Sequence, residues 1–478
     1  MRHDCKVVVV GSGAGGAVAA ATLAEAGLDT IIVEQGIGYS PSDRTDVVGG
    51  LSEMYVNAGL SVAFGLPPIP IPLGCGVGGT TTINSSTCFR PPRDQVAAWG
   101  GPTYEALEPF MAKVEQRINA VPADVGLLGG NWRVMKRGCD ALGLEIKPLV
   151  HNVRECRGRG RCAFGCPTGA KQSMDRTFIP DALAAGARLL AGHRVERVLI
   201  KGGRAAGVAG VSGDGRFTIQ ADAVVLAMGA LAGAAFLLKH RLANSSGCVG
   251  RGLHIHPACR VVAEFDEIVD GHVGMPQGAY IDRWADRGIM LEGIFVPPGL
   301  LISSLPGVGA GLKTLAAAYR RLSAFGVMVS DTTSGRVLPS RLGLPSLTFY
   351  QASREDAEHL RFGIARLAEI YLAAGARRVF TGFSPRPEIY TRDDLARFEA
   401  ARVKPTDFEL LAFHPLGTCR MGADPKTSVV SYDLETHDVP RLCVMDGGVI
   451  PSPPGVNPQI TIMTLAMCAA TRLAETLR

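Results

Sequence analysis

Residues 7–34, VVVVGSGAGGAVAAATLAEAGLDTIIVE, constrain the fold more than any other stretch, because they hold a complete nucleotide-binding unit in one run. Four consecutive valines, Val7 to Val10, predict a strand too apolar for anything but a buried parallel sheet. Gly11, Gly13 and Gly16 then form G-x-G-x-x-G. The first allows a tight turn, the second lets backbone approach a pyrophosphate, and the third lets a helix over residues 17–26 pack on the strand. The helix dipole and the free N–H groups around Ala14 therefore face the phosphates. A second strand over residues 30–33 ends in Glu34, whose carboxylate can accept hydrogen bonds from both ribose hydroxyls of an adenosine. An acid there disfavours a 2′-phosphate, which argues against NADP. The glycine triplet alone would be weak evidence; strand, glycines, helix, strand and acid in order point to dinucleotide binding rather than a glycine-rich structural turn.

The chain has 478 residues, which sets an expectation of two or three domains. It is 47% hydrophobic and 19% charged, a globular composition, and its net charge of +5 gives no argument for nucleic acid. At the N-terminus only four valines precede the glycine turn, so MRHDCKVVVV reads as a strand and not a signal peptide. The most apolar window, residues 223–238, is short for a membrane span and interrupted by Gly229 and Gly233, and reads as strand, turn and helix. Twelve cysteines without a secretory signal make reduced thiols in the cytoplasm the default expectation.

Residues 73–84, LGCGVGGTTTIN, bring small residues together again: Gly76, Gly78 and Gly79 let backbone approach a flat ring or a phosphate, and Thr80 and Asn84 offer hydrogen bonds. An ordinary loop is the plain alternative. This box resembles the second glycine box of the glucose-methanol-choline oxidoreductases, a family of FAD enzymes. Some members carry a histidine just before the asparagine that binds flavin covalently; Ile83 stands there in this chain, which implies non-covalent FAD.

Residues 91–150 read as mainly helical, with helix spacing around Leu107, Phe110, Met111 and Val114, and Trp99 and Trp132 read as core or hinge residues. A cysteine-rich loop over residues 155–171 follows, with Cys156, Cys162 and Cys166 spaced C-x5-C-x3-C and Pro167 after the last. Three thiolates on one loop can hold an iron–sulfur cluster. Zinc would want a fourth ligand, for which His151 is nearby, and small apolar fillers or a redox-labile pair are further readings. The spacing resembles the three-iron cluster loop of bacterial sugar dehydrogenases in the same family, and a similar loop occurs in long-chain alcohol oxidases. The arginines around the loop read as a solvated surface, with docking of an acidic electron acceptor as the other reading.

Residues 187–219 alternate as a β-meander, and residues 223–227 form the next buried strand. By resemblance this segment returns the chain to the FAD domain and puts a backbone group of Val195 against adenine. Residues 259–405 show no glycine fingerprint and mix strands over 260–265 and 346–349 with a helix over 354–374. This is the expected substrate domain, a sheet with one face over the flavin. Met290, Leu291, Phe295, Leu300 and Leu301 suit an apolar pocket or a plain core, and the apolar run 303–327 suits packing or an interfacial lid. His254 and His256 look like metal ligands at i and i+2, but the segment resembles the family's exit from the FAD domain, which implies a structural role.

Near the C-terminus, FHPLGTCRMG (residues 413–422) and CVMDGGVIPSPPGVNPQIT (residues 443–461) resemble the family's terminal signatures. Alcohol oxidation needs a base for the hydroxyl proton and an acceptor for the hydride, which is flavin N5. His414 is the candidate base, since a neutral imidazole titrates near physiological pH. Asn457 lies where the family places a second histidine or an asparagine, and its amide can orient the substrate oxygen. Asp446 and Gly447 follow a short strand, with the Gly447 amide toward the pyrophosphate or ribityl chain. Pro458 opens a helix over residues 459–477 whose N-terminus stabilises the reduced flavin. Cys419, Cys443 and Cys468 read as inert packing.

The expected fold is α/β: a Rossmann-like FAD-binding domain of residues 1–90, 187–258 and 406–478, with a discontinuous α+β substrate domain of residues 91–186 and 259–405 whose antiparallel sheet roofs the flavin. The expected activity is oxidation of an alcohol or sugar CH–OH group to a carbonyl, with oxygen, a quinone or a cytochrome as electron acceptor. A small or cytochrome subunit is an open partner, and export with such a partner is the alternative to the cytoplasm. A non-redox lyase or decarboxylase of the same fold and a flavin electron-transfer protein are the rival readings.

Overall fold

The computed structural model describes residues 1–40, 47–339 and 346–478. Strand Arg2–Val10 lies at the middle of a seven-stranded sheet, between Thr30–Glu34 and Gly215–Leu226, and pairs in parallel with both. Covered on both faces, it buries Val7 to Val10 almost completely, which is why its sequence shows no alternation. Arg188–Ala191 extends the sheet beyond Thr30–Glu34. Gly215–Leu226 is one long strand: its first half closes the meander against Arg204–Ser212, and its last three residues pair in parallel with Leu442–Val444. The meander and the next buried strand, expected as separate pieces, are therefore continuous.

Helix Ala14–Glu25 packs on this sheet and on helix Gln459–Leu477. A Cβ at Gly16 would stand 2.0 Å from the Gly11 carbonyl oxygen, so only glycine lets helix and turn come this close. Gln459–Leu477 is long and apolar enough to cross a membrane, yet most of it is buried against Ala14–Glu25 and Tyr104–Arg117. Helices Tyr104–Arg117 and Phe178–Ala184 belong to the stretch expected to build the substrate domain. They instead bury Leu107, Met111, Val114, Phe178 and Ile179 in the core of the nucleotide-binding sheet.

A second seven-stranded sheet runs Glu388–Ile389, Arg378–Phe380, Ala258–Glu264, Leu322–Val329, Ile289–Gly293, Ala279–Ile281, Lys147–Pro148. Its neighbours are all antiparallel. One face, with Val261, Ile289, Leu291, Val327 and Val329, packs against helix Arg354–Ala373. That helix starts at a capping box, in which Ser353 Oγ accepts from the Asp356 amide and Asp356 accepts from the Ser353 amide. By strand alternation Arg260, Met290, Glu292 and Met328 point to the opposite face. The run 303–327, expected as packing or an interfacial lid, forms helix Ala310–Ala317 and then enters strand Leu322–Val329. Its Leu305, Leu315 and Tyr319 pack with Phe295, Leu301 and Phe380 as ordinary core.

Candidate active site

The opening turn builds a cradle for a dinucleotide. The Gly11 amide donates to Val33 O and the Ala227 amide to Val10 O, which ties three parallel strand ends together. A Cβ at Gly13 would meet nothing within 4 Å, and no side chain caps helix Ala14–Glu25 at this residue. Its first-turn N–H groups thus border open space of the kind a pyrophosphate fills. Glu34 is buried and already oriented: Oε2 accepts from the Ser12 amide at 3.0 Å and the Ser12 hydroxyl at 2.8 Å, and Oε1 from the Gly36 amide at 3.0 Å. The Gly192 amide donates to Gly36 O, which sets the strand carrying Val195 beside the end of the Glu34 strand.

The second glycine box closes over the first. Gly78 and Gly79 both have positive φ, and a Cβ at Gly79 would lie 2.9 Å from Gly13 Cα. Thr80 Oγ1 accepts from the Gly74 amide. Asn84, expected to offer hydrogen bonds to a cofactor, spends its amide inside the protein: Nδ2 donates to Gln459 Oε1 at 3.0 Å and Oδ1 accepts from the Ser86 amide. It ties the box to the start of helix Gln459–Leu477, at whose N-cap Pro458 stands. Ile83 is buried against Met54 and Tyr55 and supplies no nucleophile. Asp446 is a clamp: Oδ2 accepts from the Gly229 amide and Oδ1 from the Gly448 amide. Burial pushes its carboxyl up to about 6 against those two amides. Gly447 O accepts from the Gly417 amide and so holds the segment that carries His414.

His414 and Asn457 come together as expected, with Asn457 Nδ2 3.3 Å from His414 Nε2. Two residues to which no chemistry had been assigned join them. His256, expected to be structural, places Nδ1 3.2 Å from His414 Nδ1. Glu292 places Oε2 3.4 Å from Asn457 Nδ2, accepts a further bond from Gln277 Nε2, and leaves Oε1 buried without a partner. Asn457 Oδ1 is likewise buried and unpartnered. Burial holds His414 down at about 4 and lowers His256 well below the imidazole range, so both rings are neutral at pH 7.

The two tautomers of the ring pair are balanced against each other. With the His256 proton on Nδ1, His256 Nε2 accepts from the Gly455 amide at 3.2 Å, and His414 carries its proton on Nε2, where it faces the Asn457 Nδ2 donor; with both protons reversed, His414 Nε2 accepts from Asn457 Nδ2 and the facing donors are at Gly455.

Met290, Met328 and Val456 form an apolar patch beside this group, with Phe89, Ala258 and Tyr280 packed around it. Of the other candidate pocket residues, Leu291 faces the helix, Phe295 and Leu301 lie in a separate core, and Leu300 is exposed.

The cysteine-rich loop does not fit the cluster expected of it. Among the described residues no three histidine, cysteine, aspartate or glutamate side chains come together as a metal site. Cys156 Sγ accepts from the Gly158 amide, Cys166 pairs with the Thr168 hydroxyl, and burial pushes the Cys162 thiol up to about 11. The loop is organised by a cation instead. Lys171 is buried and donates from Nζ to the carbonyls of Thr82, Asn84 and Cys162.

Residues 51–258 and 333–466 match the N-terminal and C-terminal models of the GMC oxidoreductases, and residues 6–42 match an FAD binding domain. An uncharacterized GMC-type oxidoreductase of Mycobacterium tuberculosis is 34% identical over 97% of this chain and 75% of its own length. A long-chain-alcohol oxidase of Arabidopsis thaliana is 28% identical over 100% of this chain and 69% of its own. Among solved structures, formate oxidase of Aspergillus oryzae superimposes with TM-score 0.74 at 16% identity, covering 100% of this chain and 99% of that one. Pyridoxine 4-oxidase gives TM-score 0.65 at 18% identity over 98% and 99%; at these identities the likeness shows the fold. The glycine cradle, the paired His414 and Asn457, and matches spanning most of its length identify this chain as an FAD-binding member of the GMC oxidoreductase family.

Proposed function

We propose that this protein oxidises an alcohol CH–OH group to a carbonyl, with the hydroxyl oxygen held between His414 and Asn457. The observation that carries the reading is the pairing of these two side chains at 3.3 Å with the Asn457 carbonyl oxygen buried and unpartnered, a position that a hydroxyl donor satisfies. FAD, held without a covalent bond by the Gly13 and Gly79 turns, Glu34 and the N-termini of helices Ala14–Glu25 and Gln459–Leu477, supplies the hydride acceptor. Neutral His414 contributes a hydrogen bond without placing a cation beside the reacting carbon. Met290, Met328, Val456 and Phe89 favour an apolar alcohol over a sugar, in line with relatives named as long-chain-alcohol oxidases. The same relatives favour oxygen as the electron acceptor.

Anaerobic mixing of the FAD-loaded protein with primary alcohols of increasing chain length, and with sugars, tests this directly. Alcohols are expected to bleach the flavin band, more efficiently as the chain lengthens, and sugars to leave it unchanged. His414→Ala is expected to keep FAD and slow bleaching by at least about 10²-fold, the scale of a lost proton-handling group. The reading falls if no alcohol bleaches the flavin.

A further inference from the structure

We propose that Asp331 is a positioning residue for this site: its buried carboxylate pins the strained turn at His256 and so fixes the ring against which His414 is set. The inference rests on the reading of the site as one that oxidises alcohols, and adds to it a residue that acts through the backbone.

The turn is the starting point. His256 is buried and has φ +50°, in the left-handed region that a Cβ disfavours. Pro257 follows it, and proline restricts the residue before it to extended conformations, so the turn runs against its own sequence. Strain of this kind persists only where the surroundings over-determine the backbone. Here the constraint is Asp331. The Ile255 amide donates to its Oδ2 at 2.7 Å and the His256 amide to its Oδ1 at 3.3 Å, so the two oxygens of one carboxylate take two consecutive amides. The Asp331 side chain is fully buried; His254 Nδ1 stands 3.8 Å from Oδ2, too far for a hydrogen bond. Burial pushes the carboxyl up to about 7, while the amides of Ile255, Asp331 and His256 draw it back and the Asp356 carboxylate raises it further. Above neutrality it is ionised, the form that offers an acceptor to both amides.

Asp331 is itself held from both sides. Before it, the Val329 amide donates to Pro257 O at 3.1 Å and the Ser330 amide to Gly288 O at 2.8 Å. After it, the Thr332 amide and hydroxyl both donate to Asp356 Oδ1 at 2.9 Å, the acid of the capping box that opens helix Arg354–Ala373. The other edge of the turn belongs to the segment that carries His414. His254 and Leu416 exchange backbone bonds, as do Ala258 and Leu411, so residues 254–258 lie between Asp331 and residues 411–416. From this turn the His256 ring reaches His414, Nδ1 to Nδ1 at 3.2 Å with the planes at 81°, and its Nε2 stands 3.2 Å from the amide of Gly455, two residues before Asn457. It thus braces both residues of the pair, and the spacing of the rings depends on the turn whichever tautomer they hold. Without the carboxylate the turn relaxes toward the extended form that Pro257 favours, and the brace moves. A displacement of about 1 Å at a reacting group can cost about 10²-fold in rate.

A double-mutant cycle on the FAD-loaded protein, mixed anaerobically with an alcohol at about pH 8, tests the assignment. Asp331→Ala and His256→Ala are each expected to slow flavin reduction at saturating alcohol by about 10²-fold, and to shift the half-saturating concentration by less than about threefold. The double variant should be no slower than His256→Ala, because Asp331 acts through that ring. A second readout needs no turnover: with histidine labelled by ¹⁵N, the imidazole proton shared by His256 and His414 is expected as a downfield resonance in wild type, lost in His256→Ala and also in Asp331→Ala with FAD retained. Losses that multiply in the double variant, wild-type reduction by Asp331→Ala, or a resonance unchanged by that substitution overturns the proposal. If no alcohol reduces the wild type, the failure belongs to the alcohol reading, and the resonance still decides for Asp331. Should Asp331→Ala fail to hold FAD, Asp331→Asn takes its place; it keeps an acceptor for Ile255 and sets a donor against His256, and is expected to shift the resonance and slow reduction by about tenfold.

Discussion

At Gly79 two requirements meet in one residue. Its φ of +54° lies in the left-handed region, and an added Cβ would press on Gly13 Cα at 2.9 Å. The conformational cost alone is about 1–2 kcal/mol for a residue with a Cβ, and the contact sits on the turn that meets the pyrophosphate. Gly79→Ala is therefore expected to weaken FAD binding by about tenfold or more, read as the flavin-to-protein absorbance ratio after dialysis; full FAD retention would refute it. Such glycines, like Glu34, were legible in the sequence because local backbone or bond chemistry demands their type at that spacing, whereas His414 and Asn457 were legible through the resemblance of residues 413–422 and 443–461 to the family's terminal signatures. Glu292 and His256 were not, because their roles arise from folding: Glu292 meets Asn457 across 165 positions and His256 meets His414 across 158. The one visible signal for Glu292 was an acid inside the apolar run IMLEGIFV of the domain whose sheet was expected to roof the flavin.

Helices were read well at the scale of elements, because period and caps are local. The helix expected over 354–374 is Arg354–Ala373, and that over 459–477 is Gln459–Leu477. Strand Gly215–Leu226 was split in the reading because Gln220 and Asp222 face solvent within it, so its apolar pattern breaks where its pairing does not. The cysteine-rich loop shows the limit of spacing as evidence, since three thiols at ligand intervals say nothing of Lys171 rising among them. That ammonium bonds three carbonyls, two of them from residues 82 and 84 of the second glycine box. Lys171→Met would leave three carbonyl acceptors without their donor, the buried Thr82 carbonyl at a cost of about 1–3 kcal/mol and the part-buried Asn84 and Cys162 carbonyls at less. It is expected to lower Tm sharply and to release FAD together with the loop. Replacing Cys156, Cys162 and Cys166 by serine should leave the flavin spectrum intact, and the purified wild type should contain no stoichiometric iron by elemental analysis. An iron signal lost in the triple variant would reverse this account.

Across the whole molecule the site is a seam between the two sheets, and the chain around His414 is stitched to both. Ala258 and Leu411 exchange backbone hydrogen bonds on one side; on the other, the amides of Cys419 and Met421 donate to the carbonyls of Gly448 and Val449. Burying this seam places titratable groups of both kinds out of water, with opposite consequences for stability. Glu292 and Asp331 are pushed up to about 7 and Asp446 to about 6. Each therefore favours the folded state most fully below its unfolded pKa, and loses that contribution as pH rises toward its folded value. His151 and His414 are held down at about 4, so the unfolded chain binds their protons first and stability is gained as pH rises from about 4 toward 6.5. The two trends oppose between pH 4.5 and 6.5, and the wild-type Tm is expected to change little there. Single substitutions separate them. A rise from the ordinary 4.5 to about 7 at Glu292, and a fall from 6.5 to about 4 at His414, are each equivalent to about 3 kcal/mol at full extent. Relative to wild type, the Tm of FAD-loaded Glu292→Gln should climb as pH goes from 4.5 to 7, while that of His414→Asn should sink as pH goes from 4 to 6.5. Thermal melts in one buffer series read both slopes, and slopes of the same sign would show that burial does not hold both groups in their neutral forms.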